Sequence, residues 1–110
     1  MQLEANKVYT VQYLPSAMQD LTEIVHYIAH DLNNPAAASR LAEEFVTVAE
    51  KLEQFPYAFP TYIPLRPLKK EYRKLPVQNY IMFYWVNEAD KTVTIARVLY
   101  SRRNYTKILK

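Results

Sequence analysis

The chain has 110 residues, half of them apolar, with 14 Lys and Arg against 11 Asp and Glu, two histidines, no cysteine and no glycine. Without glycine there is no P-loop, no dinucleotide-binding loop and no Gly-x-Ser-x-Gly elbow, because each needs a backbone that turns sharply or touches its ligand. Without cysteine there are no thiolate nucleophiles, disulfides or Cys-ligated zinc, and two histidines are too few for a three-His metal site.

No stretch approaches the roughly 20 apolar residues of a membrane span, and Met1-Gln2-Leu3-Glu4 does not begin a signal peptide. The expectation is a cytoplasmic, single-domain chain over residues 1–110. A domain of this size can bury roughly two-thirds of the surface its unfolded chain exposes, so it needs no metal or staple to fold.

In chain order, Lys7 to Leu14 is β-branched and aromatic and stops at Pro15, which predicts a strand. Ser16-Ala17-Met18-Gln19 has the spacing of a capping box. Ala17, Leu21, Ile24, Val25, Ile28 and Leu32 then recur at spacings of three and four, the apolar stripe of a helix. Asn33-Asn34-Pro35 predicts a break: one Asn takes the left-handed exit, Asn34 caps the next helix, and Pro35 fits its first position.

The second helix carries Leu41, Phe45, Val48, Leu52 and Phe55 and is expected to end at Pro56. Two amphipathic helices joined by so short a link should form an antiparallel hairpin. Four prolines between residues 56 and 70 predict an extended crossing loop. Strands follow at Tyr72 to Val77, Asn79 to Val86 and Thr92 to Tyr100, with a short helix or arm from Asn104 to Lys110. The order β-α-α-β-β-β gives an α+β domain with the helical hairpin packed on a mainly antiparallel four-stranded sheet.

Charge is segregated. Residues 1–55 hold three bases and eight acids, a balance of 3 − 8 = −5, and residues 56–110 hold eleven bases and three acids, 11 − 3 = +8. The helical hairpin should therefore be acidic outside, and the loop, sheet and tail basic, which favours an anionic partner on one side. Nine of these eleven bases fall in three groups: Lys69, Lys70, Arg73 and Lys74; Arg97; and Arg102, Arg103, Lys107 and Lys110. Tyr72, Tyr100 and Tyr105 are interleaved with them, as in surfaces that stack bases beside phosphate-binding cations.

Metal-free phosphodiester cleavage needs a proton acceptor, positive charge on the phosphate and an acid for the leaving oxygen. Both histidines, His26 and His30, lie on the first helix. They lack a third ligand or the Glu of His-Glu-x-x-His, and a solvated helix face is the favoured reading. Proton chemistry is left to Lys, Arg and Tyr, with a lysine among other cations able to act as base.

The pattern Arg73-x-Leu75-x-Val77-x-Asn79-Tyr80-x-x-Phe83-Tyr84-x-Val86, followed by Val93-x-Ile95-x-Arg97-Val98-Leu99-Tyr100-x-Arg102-Arg103-Asn104, resembles the RelE/ParE superfamily of toxins from bacterial type II toxin–antitoxin systems. Ser16-Ala17-x-x-Asp20-Leu21-x-x-Ile24-x-x-Tyr27-Ile28 resembles that family's opening helix. The resemblance implies one of two activities: RelE-like members are ribosome-dependent mRNA endonucleases, and ParE-like members inhibit DNA gyrase. Both are held inactive by a cognate antitoxin.

As an endonuclease, the first expectation, the protein would act on ribosome-bound mRNA without metal or cofactor. Lys69 or Lys70 would accept the proton, Arg73 and Arg102 would clamp the phosphate, and Tyr105 would stack. Arg97, Arg103 and Lys107 would hold the nucleic acid. The alternative is a gyrase inhibitor that acts by binding. The chain departs from the endonuclease pattern at Ile81, where a RelE-like member has a catalytic arginine, and carries Tyr100 where many relatives have histidine. Its Val98-Leu99-Tyr100-x-Arg102-Arg103-Asn104 segment is closer to the ParE-type pattern.

Overall fold

The computed structural model describes residues 8–64 and 67–109; Lys7 and Lys110, which the sequence assigns to the first strand and the tail, lie outside them. The elements are β1 (Thr10–Tyr13), α1 (Pro15–His26), a π-helical turn (Tyr27–Asp31), α2 (Pro35–Lys51), β2 (Arg73–Val77), β3 (Tyr80–Asn87), β4 (Thr92–Tyr100) and α3 (Tyr105–Ile108). The strands form one sheet in the order β1-β4-β3-β2, with β1 parallel to β4 and the other pairs antiparallel. The α+β class, the mainly antiparallel sheet and the element order all follow the sequence pattern.

The start of α1 differs from expectation. Leu14 is the cap and Pro15 opens the helix, because the fixed φ of proline suits the first helical position. Ser16 therefore falls inside the first turn, and its hydroxyl donates to the Ala96 carbonyl at 2.8 Å instead of forming a capping box. The Asn33-Asn34-Pro35 link does behave as read: Asn33 is left-handed at φ 51°, and the Asn34 side chain accepts from the Ala37 N–H at 3.1 Å. Leu32 leaves the apolar stripe and is exposed, because the π-helical turn adds a residue and rotates it off the face. Phe55 is exposed as well, since α2 ends at Lys51 rather than at Pro56.

Sheet alternation produces two cores. Leu75, Val77, Met82, Tyr84, Val93, Ile95 and Val98 face the helices and pack on Ala17, Leu41, Phe45, Ala49 and Leu52. The opposite face collects Tyr72, Phe83, Ala96, Leu99 and Leu109, with Tyr62, Trp85 and Tyr105 against them. Ile95 and Val98 share the helical face although three residues apart, because a bulge beside Phe83 and Tyr84 leaves one residue of β4 unpaired. β3 is thus apolar on both faces, as a central strand should be.

Tyr84 is fully buried, and its hydroxyl donates to the Pro56 carbonyl at 2.7 Å, tying the start of the crossing loop to the core. Burial pushes its pKa up to about 12. The folded value lies above the ordinary value of 10.0, so this contribution is complete below pH 10 and is lost as pH rises toward 12. Tyr84→Phe should cost about 1 kcal/mol at neutral pH and flatten the alkaline loss of stability, measured by urea unfolding at pH 7 and pH 11.

With no glycine in the chain, left-handed positions fall on other residues: among the described residues, besides Asn33, these are Gln78 at φ 53° and Lys91 at φ 56°. The strand turns thus place Gln78 and Lys91 in the left-handed region. Gln78 is the first of two residues joining Val77 to Tyr80, the position that a type II′ hairpin usually gives to glycine. Gln78→Gly is expected to stabilise the fold by about 1 kcal/mol, read as a higher urea midpoint with unchanged slope.

Candidate functional site

Three places gather the charged and aromatic side chains. The first is the edge of β4, where β1 stops at Tyr13 and the chain turns into α1. From Leu14 on, α1 supplies the partners that a longer β1 would have given. The Leu14 N–H donates to the Ile95 carbonyl, the Ser16 hydroxyl to the Ala96 carbonyl, and the Val98 N–H to Asp20 Oδ2 at 2.9 Å. Arg97 completes this by donating Nε to Asp20 Oδ2 at 2.7 Å and Nη2 to Oδ1 at 2.9 Å. The fork is bidentate, and the Asp20 side chain is only 10% exposed. Its carboxylate holds the Arg97 guanidinium above its usual pKa. Arg97, a sequence candidate for nucleic-acid binding, is here committed to Asp20.

The second place is a cleft of about 300 Å³ lined by Tyr57, Lys70, Arg73, Trp85, Asn87 and Glu88, among others. Arg73 opens β2 opposite Tyr84 and anchors itself by donating Nη1 to the Phe59 carbonyl at 2.7 Å. Its guanidinium lies 4.9 Å from the Tyr57 ring centroid, and Lys70 Nζ lies 5.0 Å from that of Trp85. Such cation–π contacts hold both charges at the cleft wall without neutralising them.

Glu88 closes the rim. It accepts from Tyr57 at 2.6 Å, from Tyr9 at 3.0 Å and from Lys91. The lysine and the two phenols hold its carboxyl down at about 2, against an ordinary 4.5. A depressed carboxylate stabilises the fold above its unfolded value and loses that contribution as pH falls toward 2. Glu88→Gln should therefore reduce the loss of stability between pH 4.5 and 2, followed by thermal unfolding across that range.

The third place is the turn after β4. Arg102 and Arg103 are exposed there. Arg103 lines a cleft of about 420 Å³ with Asp20, Glu23, Tyr27, Tyr80 and Tyr100. α3 then folds back over the non-helical face. Tyr105 packs 4.9 Å from Phe83 and 5.9 Å from Tyr62, ring centre to ring centre, and its hydroxyl donates to the Ser101 carbonyl. Lys107 is exposed on α3, and Lys69 on the bend before β2.

The predicted site residues thus divide. Lys70 and Arg73 share a cleft, whereas Arg102 and Arg103 sit beyond the other end of the sheet. Arg73 pairs with Tyr84, while Arg102 follows Tyr100, which pairs with Tyr80. The four-residue step along β3 from Tyr80 to Tyr84 spans about 13 Å. Ile81 lies with the non-helical core cluster, half-buried, and offers no charge.

Sequence reasoning left Asp20, Tyr57, Trp85 and Glu88 without roles. Asp20 carried a usable signal: it lies three residues after buried Ala17, on the inward face, where a charge demands a partner. The others converge only through tertiary folding. Among the described residues, no helix is long and apolar enough to cross a membrane.

This fold is shared with chains of solved toxin–antitoxin complexes. The chain resembles the structure described as the chromosomal ParDE system from P. aeruginosa at a TM-score of 0.65 and 20% identity, covering 86% of this chain and 97% of that one. The RelBE2 complex from Mycobacterium tuberculosis matches at 0.58 and 22%, covering 84% and 96%. The archaeal RelE–RelB complex from Pyrococcus horikoshii OT3 matches at 0.58 and 20%, covering 88% and 99%. No curated protein sequence matches. Residues 11–105 match the family model for the ParE toxin of the type II toxin–antitoxin system parDE, and the chain belongs to that family.

Proposed function

We propose that this toxin stops bacterial growth by binding DNA gyrase rather than by cutting ribosome-bound mRNA. The dispersal of the expected nuclease residues carries this reading. About 13 Å of β3 separates the register points of Arg73 and Tyr100, the residue two before Arg102. Arg97 is held by Asp20, and the Tyr105 hydroxyl donates to the Ser101 carbonyl while its ring packs on Tyr62 and Phe83. General acid–base cleavage needs its proton carriers and phosphate clamp within reach of one phosphodiester. Membership in the ParE family points the same way.

The second partner is a cognate antitoxin, as in the complexes of similar fold. Exposed Lys69, Arg102, Arg103 and Lys107 favour an acidic, partly disordered segment that covers them. We infer a cytoplasmic location, where a gyrase-binding toxin and its antitoxin would act.

In a bacterium expressing the toxin alone, gyrase-linked DNA breaks should accumulate while primer extension on a reporter message shows no discrete cuts. Cuts within translated message, without DNA breaks, would overturn the reading. The Lys70–Arg73 cleft, with Trp85 and Tyr57 on its walls, is what favours the mRNA alternative. Lys70→Ala is expected to leave toxicity unchanged; a folded Lys70→Ala protein that no longer arrests growth would support RNA contact instead.

A further inference from the structure

The two histidines have no part in the proposed function. His26 is the last residue of α1 and His30 the fourth of the π-helical turn, and both are exposed. Their ring centroids lie 4.4 Å apart with the planes inclined by 37°. Spacing alone left them as a solvated helix face; the folded chain brings the two imidazoles into contact. Neither ring is hydrogen-bonded to another described residue, so their nitrogens are not committed elsewhere. The pair lines a shallow, open groove of about 440 Å³ together with Leu21, Thr22, Val25 and Ala29. Helices depart from α to π geometry rarely, and frequently at functional sites.

We propose that His26 and His30 chelate a divalent late first-row transition metal ion. Imidazole nitrogens suit copper, nickel and zinc, and bonds of about 2.0–2.1 Å let two adjacent rings reach one ion. Among the described residues no cluster of three or more His, Cys, Asp or Glu is placed to hold an ion. The chain therefore supplies two donors and water the rest. That donor set orders the ions Cu2+ above Ni2+ and excludes Mg2+, a hard cation that takes oxygen. An ion bridging the junction of α1 and the π turn binds the native state and raises its stability by mass action.

Untagged full-length toxin is titrated with Cu2+, Ni2+ and Mg2+ by calorimetry, and its thermal midpoint is measured with each. Cu2+ and Ni2+ are expected to bind at one per chain and raise the midpoint, and Mg2+ to do neither. His26→Asn and His30→Asn should each weaken Cu2+ binding by at least about tenfold, the cost of one lost ligand, while keeping the far-ultraviolet spectrum and the metal-free midpoint. Absence of Cu2+ binding, or equal binding in the His26→Asn/His30→Asn double variant, overturns the proposal.

Discussion

Replacing Asp20 by alanine is expected to destabilise the toxin by about 3 kcal/mol and lower its thermal midpoint by about 15 °C. Asp20 carries three interactions at once: two charge-assisted bonds from Arg97 and the bond from the Val98 N–H. Its removal strands the Val98 amide at the edge of β4 and leaves Arg97 half-buried without its counter-ion. Losing one partner of a buried pair costs more than the pair is worth, because the remaining group stays desolvated. Arg97→Ala should cost less, since the Asp20 carboxylate keeps the Val98 N–H and has some access to water. Urea unfolding of the two single variants and the double variant checks this: Asp20→Ala should be the worse single change, and the double change should add little to it. A cost below 1 kcal/mol for Asp20→Ala would mean that the β4 edge is held by other contacts.

Phe83→Ala is expected to cost about 4 kcal/mol, the upper part of the range for a buried aromatic. Phe83 is fully buried at the centre of the non-helical face, and its ring supports Tyr62 from the crossing loop and Tyr105 from α3. Those two elements are short and irregular, so they have little stability apart from this contact. The variant should lose protection from proteolysis after Tyr100 before the helical side unfolds. Simultaneous loss of protection on both faces would show that the two cores are a single cooperative unit.

The same particulars show how far a sequence can be read. Strands β2 and β4 and both long helices follow from period-two and period-3.6 apolar patterns, because burial on a fixed face dictates those periods, and β3 follows from an unbroken apolar run buried on both faces. The Asn33-Asn34-Pro35 link was equally legible, since local backbone preference decides it. Local preference also misled at Ser16-x-x-Gln19: proline one residue earlier had already opened the helix. Leu32 departs from the apolar stripe because a π turn leaves no mark in apolar spacing.

The candidate site was the least legible part. Counting charges located the basic half, but side-chain commitments are tertiary facts. Nothing in the order of residues says that Arg97 meets Asp20 across 77 positions, or that Glu88 gathers Tyr9 and Tyr57. The three groups of bases therefore stay apart in the fold, as a cleft, a paired arginine and a distant turn. Asp20 alone had left a clue, as a charge on an inward helical face.

The claim that this toxin acts by binding gyrase is tested most directly by supercoiling of relaxed plasmid by purified gyrase, with the toxin titrated in. Supercoiling should fall as toxin is added, and the cognate antitoxin should restore it. Undiminished supercoiling with folded toxin in molar excess would contradict the account.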